Sequence, residues 1–369
     1  MINRKENEHW FRHGLKMSAG ESAVEATAEN SAVSPKAEEQ LKLEPMELPA
    51  VFAGFNYVLV ALPDARIYFN WHVISYDAKN SILLPINANE VAQIACDVNI
   101  SILKTDGRTI NKFMIDINES GKKKIKEEVK YYDCGIKLLA KMDDEYDIRY
   151  YNIIVQTDGK LRLLKYGEND IIIRPQTIDG KMINPIQINY CDSIITLIGE
   201  DNYCYVSTKN KPDYDIYDIL LIDDKPIKVS KISNTLVAIM AMDFDGTVHI
   251  WNHTETIINY HGTVKEENLK DVKMKTMSGR GDVFVGLDTD GDCHCTAHER
   301  IEKDFPKDEN GKKYKMRDVD VNYNSAAGIT EDGNTVVWGN IHGAQYMISE
   351  EGERLNIFTG KTVKSARKC

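Results

Sequence analysis

The chain has no run approaching the ~18 consecutive apolar residues of a membrane-spanning helix, which excludes a helical membrane protein. It has no basic arm or stripe. Lys and Arg number 46 against 57 Asp and Glu, a formal net charge of −11, so phosphate-driven nucleic-acid binding is excluded as the main activity. Cysteine is sparse and odd in count: Cys96, Cys134, Cys191, Cys204, Cys293, Cys295 and Cys369. Scattered thiols of this kind exclude a disulfide framework and fit a reducing compartment. No apolar leader opens the sequence, so a soluble intracellular protein, in cytoplasm or nucleus, is expected, with no classical secretion signal. A glycine-rich phosphate loop and a Gly-x-Ser-x-Gly elbow are both missing, and the nine histidines are dispersed. Acid–base or nucleophilic enzyme chemistry is therefore not expected, nor is a cofactor.

What the chain does have is a repeated turn. Asp-Gly pairs end at Gly107, Gly159, Gly246, Gly291 and Gly333, each between two β-rich apolar runs. Two more turns are placed by position, at Pro63-Asp64-Ala65-Arg66 and Glu200-Asp201-Asn202. With Ala65 and Asn202 as turn residues, the steps are 42, 52, 43, 44, 45 and 42. The pair Asp179-Gly180 falls off this register and reads as a loop. Glycine accepts a positive φ without strain, so Asp-Gly between strand-like runs marks a hairpin. Seven hairpins at a period of this length predict an all-β fold, a seven-bladed β-propeller. The step of 52 is explained by an insertion at 142–150.

The clearest unit is 316–340: Val319 and Val321 alternate, Ala326, Ala327 and Ile329 make a small-residue strand, and Val336-Val337-Trp338 follows Gly333. Trp71, Trp251 and Trp338 fall five or six residues after their turns and read as packing elements between blades. Residues 1–47 contrast with this pattern, being rich in Ala, Glu and Ser beyond Met17. They are expected to form a disordered tail, with the propeller over 48–369. The basic run Lys122-Lys123-Lys124-Ile125-Lys126, followed by Glu127-Glu128, reads as a solvated loop, and 129–141 as the first strand of the third unit.

Two clusters resemble metal sites and are better explained otherwise. Cys293-His294-Cys295 with His298 lacks the second ligand pair of a zinc site. Asp288, Asp290, Asp292 and Glu299 follow calcium-loop spacing, yet the required sixth-position glycine is Cys293. No metal is expected at either.

The unit 319–340, with Glu331-Asp332-Gly333 followed by Val336-Val337-Trp338-Gly339-Asn340, resembles a repeat of the regulator of chromosome condensation family. Trp251-Asn252 after Asp245-Gly246-Thr247-Val248 is similar, with Asn in place of the usual Gly. The 91–96 run resembles the family's first strand, and Ala53-Gly54-Phe55-Asn56 its early glycine-containing stretch. A WD-repeat propeller is the runner-up, and 245–251 would suit it. The resemblance implies a protein-binding platform, with an unidentified protein as partner. It also implies an alternative, guanine-nucleotide exchange on a small Ran-type GTPase, by a conformational wedge and without covalent chemistry. The wedge candidate is the insertion carrying Asp143, Asp144 and Glu145. A third expectation is inhibition of another enzyme through one propeller face. Direct nucleic-acid and membrane contacts are not expected, and a monomer is. Ring closure is expected through pairing of 356–358 or 362–364 with a strand near 49–52.

Overall fold

The computed structural model describes residues 41–54, 57–71, 81–96, 99–117, 123–141, 150–165, 169–191, 194–207, 216–222, 224–235, 238–252, 269, 271–280, 283–296, 305–307, 310–322, 325–339, 346–348 and 354–356. Antiparallel meanders follow one another along the chain, because each apolar run is short and ends in a turn. Blade 1 holds β1 (Ala50–Gly54), β2 (Tyr57–Ala61), β3 (Ile67–Trp71) and β4 (Ser81–Leu83). Blade 2 holds β5 (Val91–Cys96), β6 (Ile100–Lys104), β7 (Thr109–Ile117) and β8 (Lys123–Tyr131). Blade 3 holds β9 (Ile136–Lys141), β10 (Tyr150–Gln156), β11 (Leu161–Lys165) and β12 (Ile171–Ile173). In blade 4, β13 (Gln176–Thr177) joins the outer edge of β14 (Pro185–Cys191), β15 (Ile194–Gly199), β16 (Cys204–Ser207) and β17 (Ile216–Ile219). A small hairpin, β18 (Leu221–Ile222) with β19 (Lys225–Pro226), leads to blade 5: β20 (Val229–Asn234), β21 (Ala238–Asp243) and β22 (Val248–Asn252). Blade 6 holds β23 (Met274–Arg280), β24 (Val283–Asp288) and β25 (Cys293–Thr296). Blade 7 holds β26 (Met316–Asn322), β27 (Ser325–Thr330), β28 (Thr335–Gly339), β29 (Tyr346–Ile348) and β30 (Arg354–Asn356).

The expected seven hairpins are all present, and all seven turn residues have positive φ: Ala65 67°, Gly107 63°, Gly159 81°, Asn202 66°, Gly246 81°, Gly291 76° and Gly333 89°. Each is the last residue of a three-residue loop. In blade 5, for example, Gly246 N donates to Asp243 O at 3.2 Å and Asp243 N to Thr247 O at 2.9 Å. That pair of bonds is a type I turn closed by a left-handed residue. The turn residue then ties its blade to the next. The N–H groups of Ile136, Val229, Met274 and Met316 donate to the carbonyls of Gly107, Asn202, Gly246 and Gly291 at 2.6, 2.8, 2.7 and 2.9 Å.

The first strand of every blade is innermost, and these strands pack in sequence around an axis, with β26 returning to β1. Closure is therefore face to face. Val51, Val58, Val60, Leu62 and Tyr68 of blade 1 share a core with Ala327, Ile329 and Val337 of blade 7. Each such buried aliphatic side chain contributes on the order of 1.5–3 kcal/mol. Of the segments expected to supply a closing strand, Asn356 pairs with Tyr346 at the outer edge of blade 7, and β1 pairs with β2. Ile357, Phe358 and 362–364 lie outside the described residues.

Two other readings are corrected. The Lys-rich run is strand, since Lys123, Lys124 and Lys126 belong to β8 and pair with β7. Val129 to Tyr131 complete that same outer strand of blade 2, and blade 3 begins only at Ile136. Trp251 and Trp338 occupy matching register positions, opposite Ile239 and Ala326, whereas the matching residue in blade 1 is Asn70, opposite Val58, and Trp71 is one step further on. Residues 41–47, on the tail side of the boundary read from composition, lie against blade 2. Leu43 N donates to Thr105 O and Met46 N to Val91 O, both at 2.8 Å.

Candidate functional site

An antiparallel meander sends its connections alternately to two faces. The seven tight turns and the links into the next blade share one face; the other receives the ends of β1 and β2, of β3 and β4, and their counterparts around the ring. The two faces flank a well on the axis of about 300 Å³, lined by the inner strands of all seven blades.

The inner strands reach this axis through a shared irregularity. In blades 2 to 7 the pairing of first and second strand slips by one residue near the start, as at Val91/Gln93 and Met316/Asp318. A bulge of this kind re-aims the residues after it. Gln93, Gln187, Lys231, Thr276 and Asp318 all follow the bulge and stand opposite the second residue before the tight turn. Two residues further, Ala95, Asn189, Ser233, Ser278 and Asp320 line the well.

Several of these side chains clasp the neighbouring blade. Gln93 Oε1 accepts from Leu139 N at 2.6 Å. Gln187 Oε1 accepts from Ile232 N at 3.2 Å, and its Nε2 donates to Ile232 O at 3.1 Å. Lys231 Nζ donates to Thr276 Oγ1 at 2.5 Å. Asp320 accepts from Ser278 Oγ at 2.6 Å and, across the closure, from Ala53 N at 2.8 Å. Polar groups buried among apolar strands need such partners.

The well has two unlike walls. Blades 4 to 7 supply the polar side chains Gln187, Asn189, Lys231, Ser233, Ser278, Asp318 and Asp320 beside Ile188, Ile232, Met277 and Val319; blades 1 to 3 supply Val51, Phe52, Ile94, Ala95, Cys96, Leu139 and Ala140. Burial lowers the Lys231 pKa, although Asp318 and Asp320 pull it back up. Burial raises the Asp318 carboxyl, helped by Asp320 and opposed by Lys231. The far end is shut: Cys96, Cys191, Thr235, Arg280 and Asn322 are all buried. Arg280 closes the floor by donating from Nη1 to Cys96 O at 3.0 Å, reaching from blade 6 to blade 2, nearly opposite in a ring of seven.

On the turn face, blades 5 and 6 repeat one arrangement. Asp243 Oδ1 accepts from Asp245 N and Thr247 N, and His249 Nε2 lies 3.0 Å from Oδ2. Asp288 Oδ1 accepts from Asp290 N and Asp292 N, and His294 Nε2 lies 2.8 Å from Oδ2. The calcium-like spacing at Asp288, Asp290 and Asp292 is thus a capped hairpin. Cys293 and Cys295 turn the other way, against the core of blades 6 and 7. Burial holds the Cys293 thiol well above its ordinary pKa. Among the described residues, no group of three His, Cys, Asp or Glu is placed to hold a metal ion.

Trp338 is fully buried between blades 6 and 7, its ring edge-on to Phe305 at 5.4 Å. Trp251 Nε1 donates to Leu221 O at 3.0 Å, against the core of blades 4 and 5. The wedge residues Asp143, Asp144 and Glu145 lie outside the described residues; Lys141 and Tyr150, which flank the insertion, end on the face opposite the tight turns. The sequence reading missed the axial residues. Their trace was there as polar pairs two apart inside apolar strands, Gln187-x-Asn189, Lys231-x-Ser233, Thr276-x-Ser278 and Asp318-x-Asp320, one per blade.

Ring, closure and axis define the class: a seven-bladed, all-β propeller. Among the described residues, no helix is long and apolar enough to cross a membrane. No family model and no curated protein matches the sequence. Among solved structures, the CRINKLY WD40 ectodomain of the Arabidopsis thaliana receptor kinase ACR4 is similar, with a TM-score of 0.50 and 10% identity over 78% of this chain and 94% of that one. Yeast RCC1 (Prp20), in its complex with Kap60, is similar with a TM-score of 0.40 and 11% identity over 86% of this chain and 75% of that one. At such identities the likeness is one of fold, and no sequence match carries membership of the chromosome-condensation repeat family.

Proposed function

We propose that this chain is a protein-interaction platform that seats its partner on the face opposite the tight turns. One observation carries the reading. β7 and β8 pair over nine positions, from Thr109↔Tyr131 to Ile117↔Lys123, while β6 reaches only Phe113. The last four pairs overhang the sheet by about 13 Å at ~3.3 Å per residue. A two-stranded overhang whose main-chain edges pair with no third strand among the described residues is a ready element for docking another protein. The rigid ring beneath it holds its aim.

Nucleotide exchange on a small Ran-type GTPase is the second reading. It is favoured by the same overhang, which has the form of a wedge and leaves from the same face as the insertion at 142–149. Exchange by wedging needs no acid–base pair.

The test replaces 114–126 by an Asn-Gly hairpin turn and compares partner capture by cross-linking with wild type and with an Arg66→Glu, Lys160→Glu variant of the turn face. The platform reading expects the shortened hairpin to lose a partner that the turn-face variant keeps; the reverse pattern overturns it. Nucleotide release from a panel of small GTPases separates the second reading, which fails if wild type accelerates none of them.

A further inference from the structure

We propose that the axial well is a binding site for a small organic cation: an ammonium on a short apolar body, with the nitrogen on Asp318 and the body against Phe52. The well opens on the turn face. Gln187, Lys231 and Asp318 near its mouth are partly exposed, as are Phe52, Asn189 and Asp320 one layer down, while Ala95, Ser233 and the floor are buried. Its volume of about 300 Å³ is at the lower end for small-molecule pockets.

Charge and hydrogen bonding select the ligand. One cation, Lys231, faces two carboxylates, so the wall sums to one negative charge. Asp320 already accepts from Ser278 Oγ and Ala53 N, and Lys231 already donates to Thr276. Asp318 is different. Among the described residues its hydrogen bond comes from its own neighbour, Val319 N to Oδ1 at 2.9 Å, and the residue lines the well. A carboxylate so placed is stabilised by a donor that brings positive charge. An anion on Lys231 would meet both carboxylates. Phe52, on the neighbouring blade 1, and the small residues Ala95 and Ala140 of blades 2 and 3 offer apolar surface and room. A pocket that joins apolar surface to a few placed polar groups holds a small molecule by orientation.

The experiment titrates the full chain with benzylamine, benzyl alcohol and benzoate, reading ligand-observed NMR and the shift in melting temperature. These probes share one apolar body and differ in charge. The inference expects saturable binding of benzylamine, at least tenfold weaker binding of benzyl alcohol, and none of benzoate. Asp318→Asn is expected to weaken benzylamine at least tenfold. Equal binding of all three probes, preference for benzoate, or no saturation by benzylamine in the millimolar range overturns it. The charge series on the unmodified protein decides the matter even where Asp318→Asn does not fold. A folded Asp318→Asn chain that binds benzylamine unchanged removes Asp318 from the site.

Discussion

The turns at Ala65 and Gly246 share a backbone conformation and differ in what lies next to them. Both have positive φ, 67° and 81°, and both close a three-residue hairpin. At Gly246 a Cβ would sit 2.6 Å from Met274 O, part of the next blade's main chain. Gly291 has the same relation to Met316 O, at 2.8 Å. At Gly333 a Cβ would meet nothing within 4 Å. Conformation alone thus does not explain where glycine is kept. An L-residue can be held left-handed at a cost of about 1–2 kcal/mol. What it cannot do is share space with a neighbouring backbone.

The difference sets an order of effects. Gly246→Ala should be the most damaging, about 3 kcal/mol or more, summing left-handed strain and a main-chain overlap of ~1–3 kcal/mol. Urea unfolding at unchanged m-value is the measurement. Gly333→Ala should lose only the strain, about 1–2 kcal/mol. If the two variants unfold at the same urea concentration, close approach plays no part and the comparison breaks.

Asp288→Asn comes next, at about 1 kcal/mol near neutral pH. Burial alone would raise the Asp288 pKa, but hydrogen bonds from His294 and from the N–H groups of Asp292 and Asp290 bring it below the ordinary carboxylate value. A carboxylate lowered on folding stabilises above its unfolded pKa of ~3.9 and loses that contribution as pH falls through the folded value. The gap between wild type and variant should therefore be full at pH 7 and close below about pH 4. A gap that is constant with pH would show that the hairpin does not depend on the ionised group. Ala65→Gly should be smallest, within about 1 kcal/mol of wild type. Relief of the left-handed conformation is offset by a more flexible unfolded chain and by loss of a buried methyl.

The turns were the legible part of the fold because a turn is a local event. Asp-Gly announced five of them, and even spacing recovered Ala65 and Asn202, which carry no glycine signal. The overhang of β7 and β8 was not legible. The run around Lys123, Lys124 and Lys126 holds a single apolar residue, Ile125, so it shows no alternation and reads as loop. The face-to-face part of the closure was not legible either, because the packing of Val51 and Val60 on Ala327 and Ile329 leaves no strand-pairing signature. The axial residues were hidden one per blade. Lys231 and Asp318 stand 87 positions apart in the sequence and meet only when the ring is formed.

Arg280 carries a consequence for how the chain folds. Its bond to Cys96 O joins residues 184 positions apart, while the turns join neighbours. Contacts of such separation must wait until the entropy of the intervening loop has been overcome. The hairpins can form blade by blade, but this arginine finds its acceptor only when the blades between have stacked and curved round the axis. It is a late contact, one that neighbouring blades cannot make between themselves, and so it separates an arc that spans blades 2 to 6 from every shorter one.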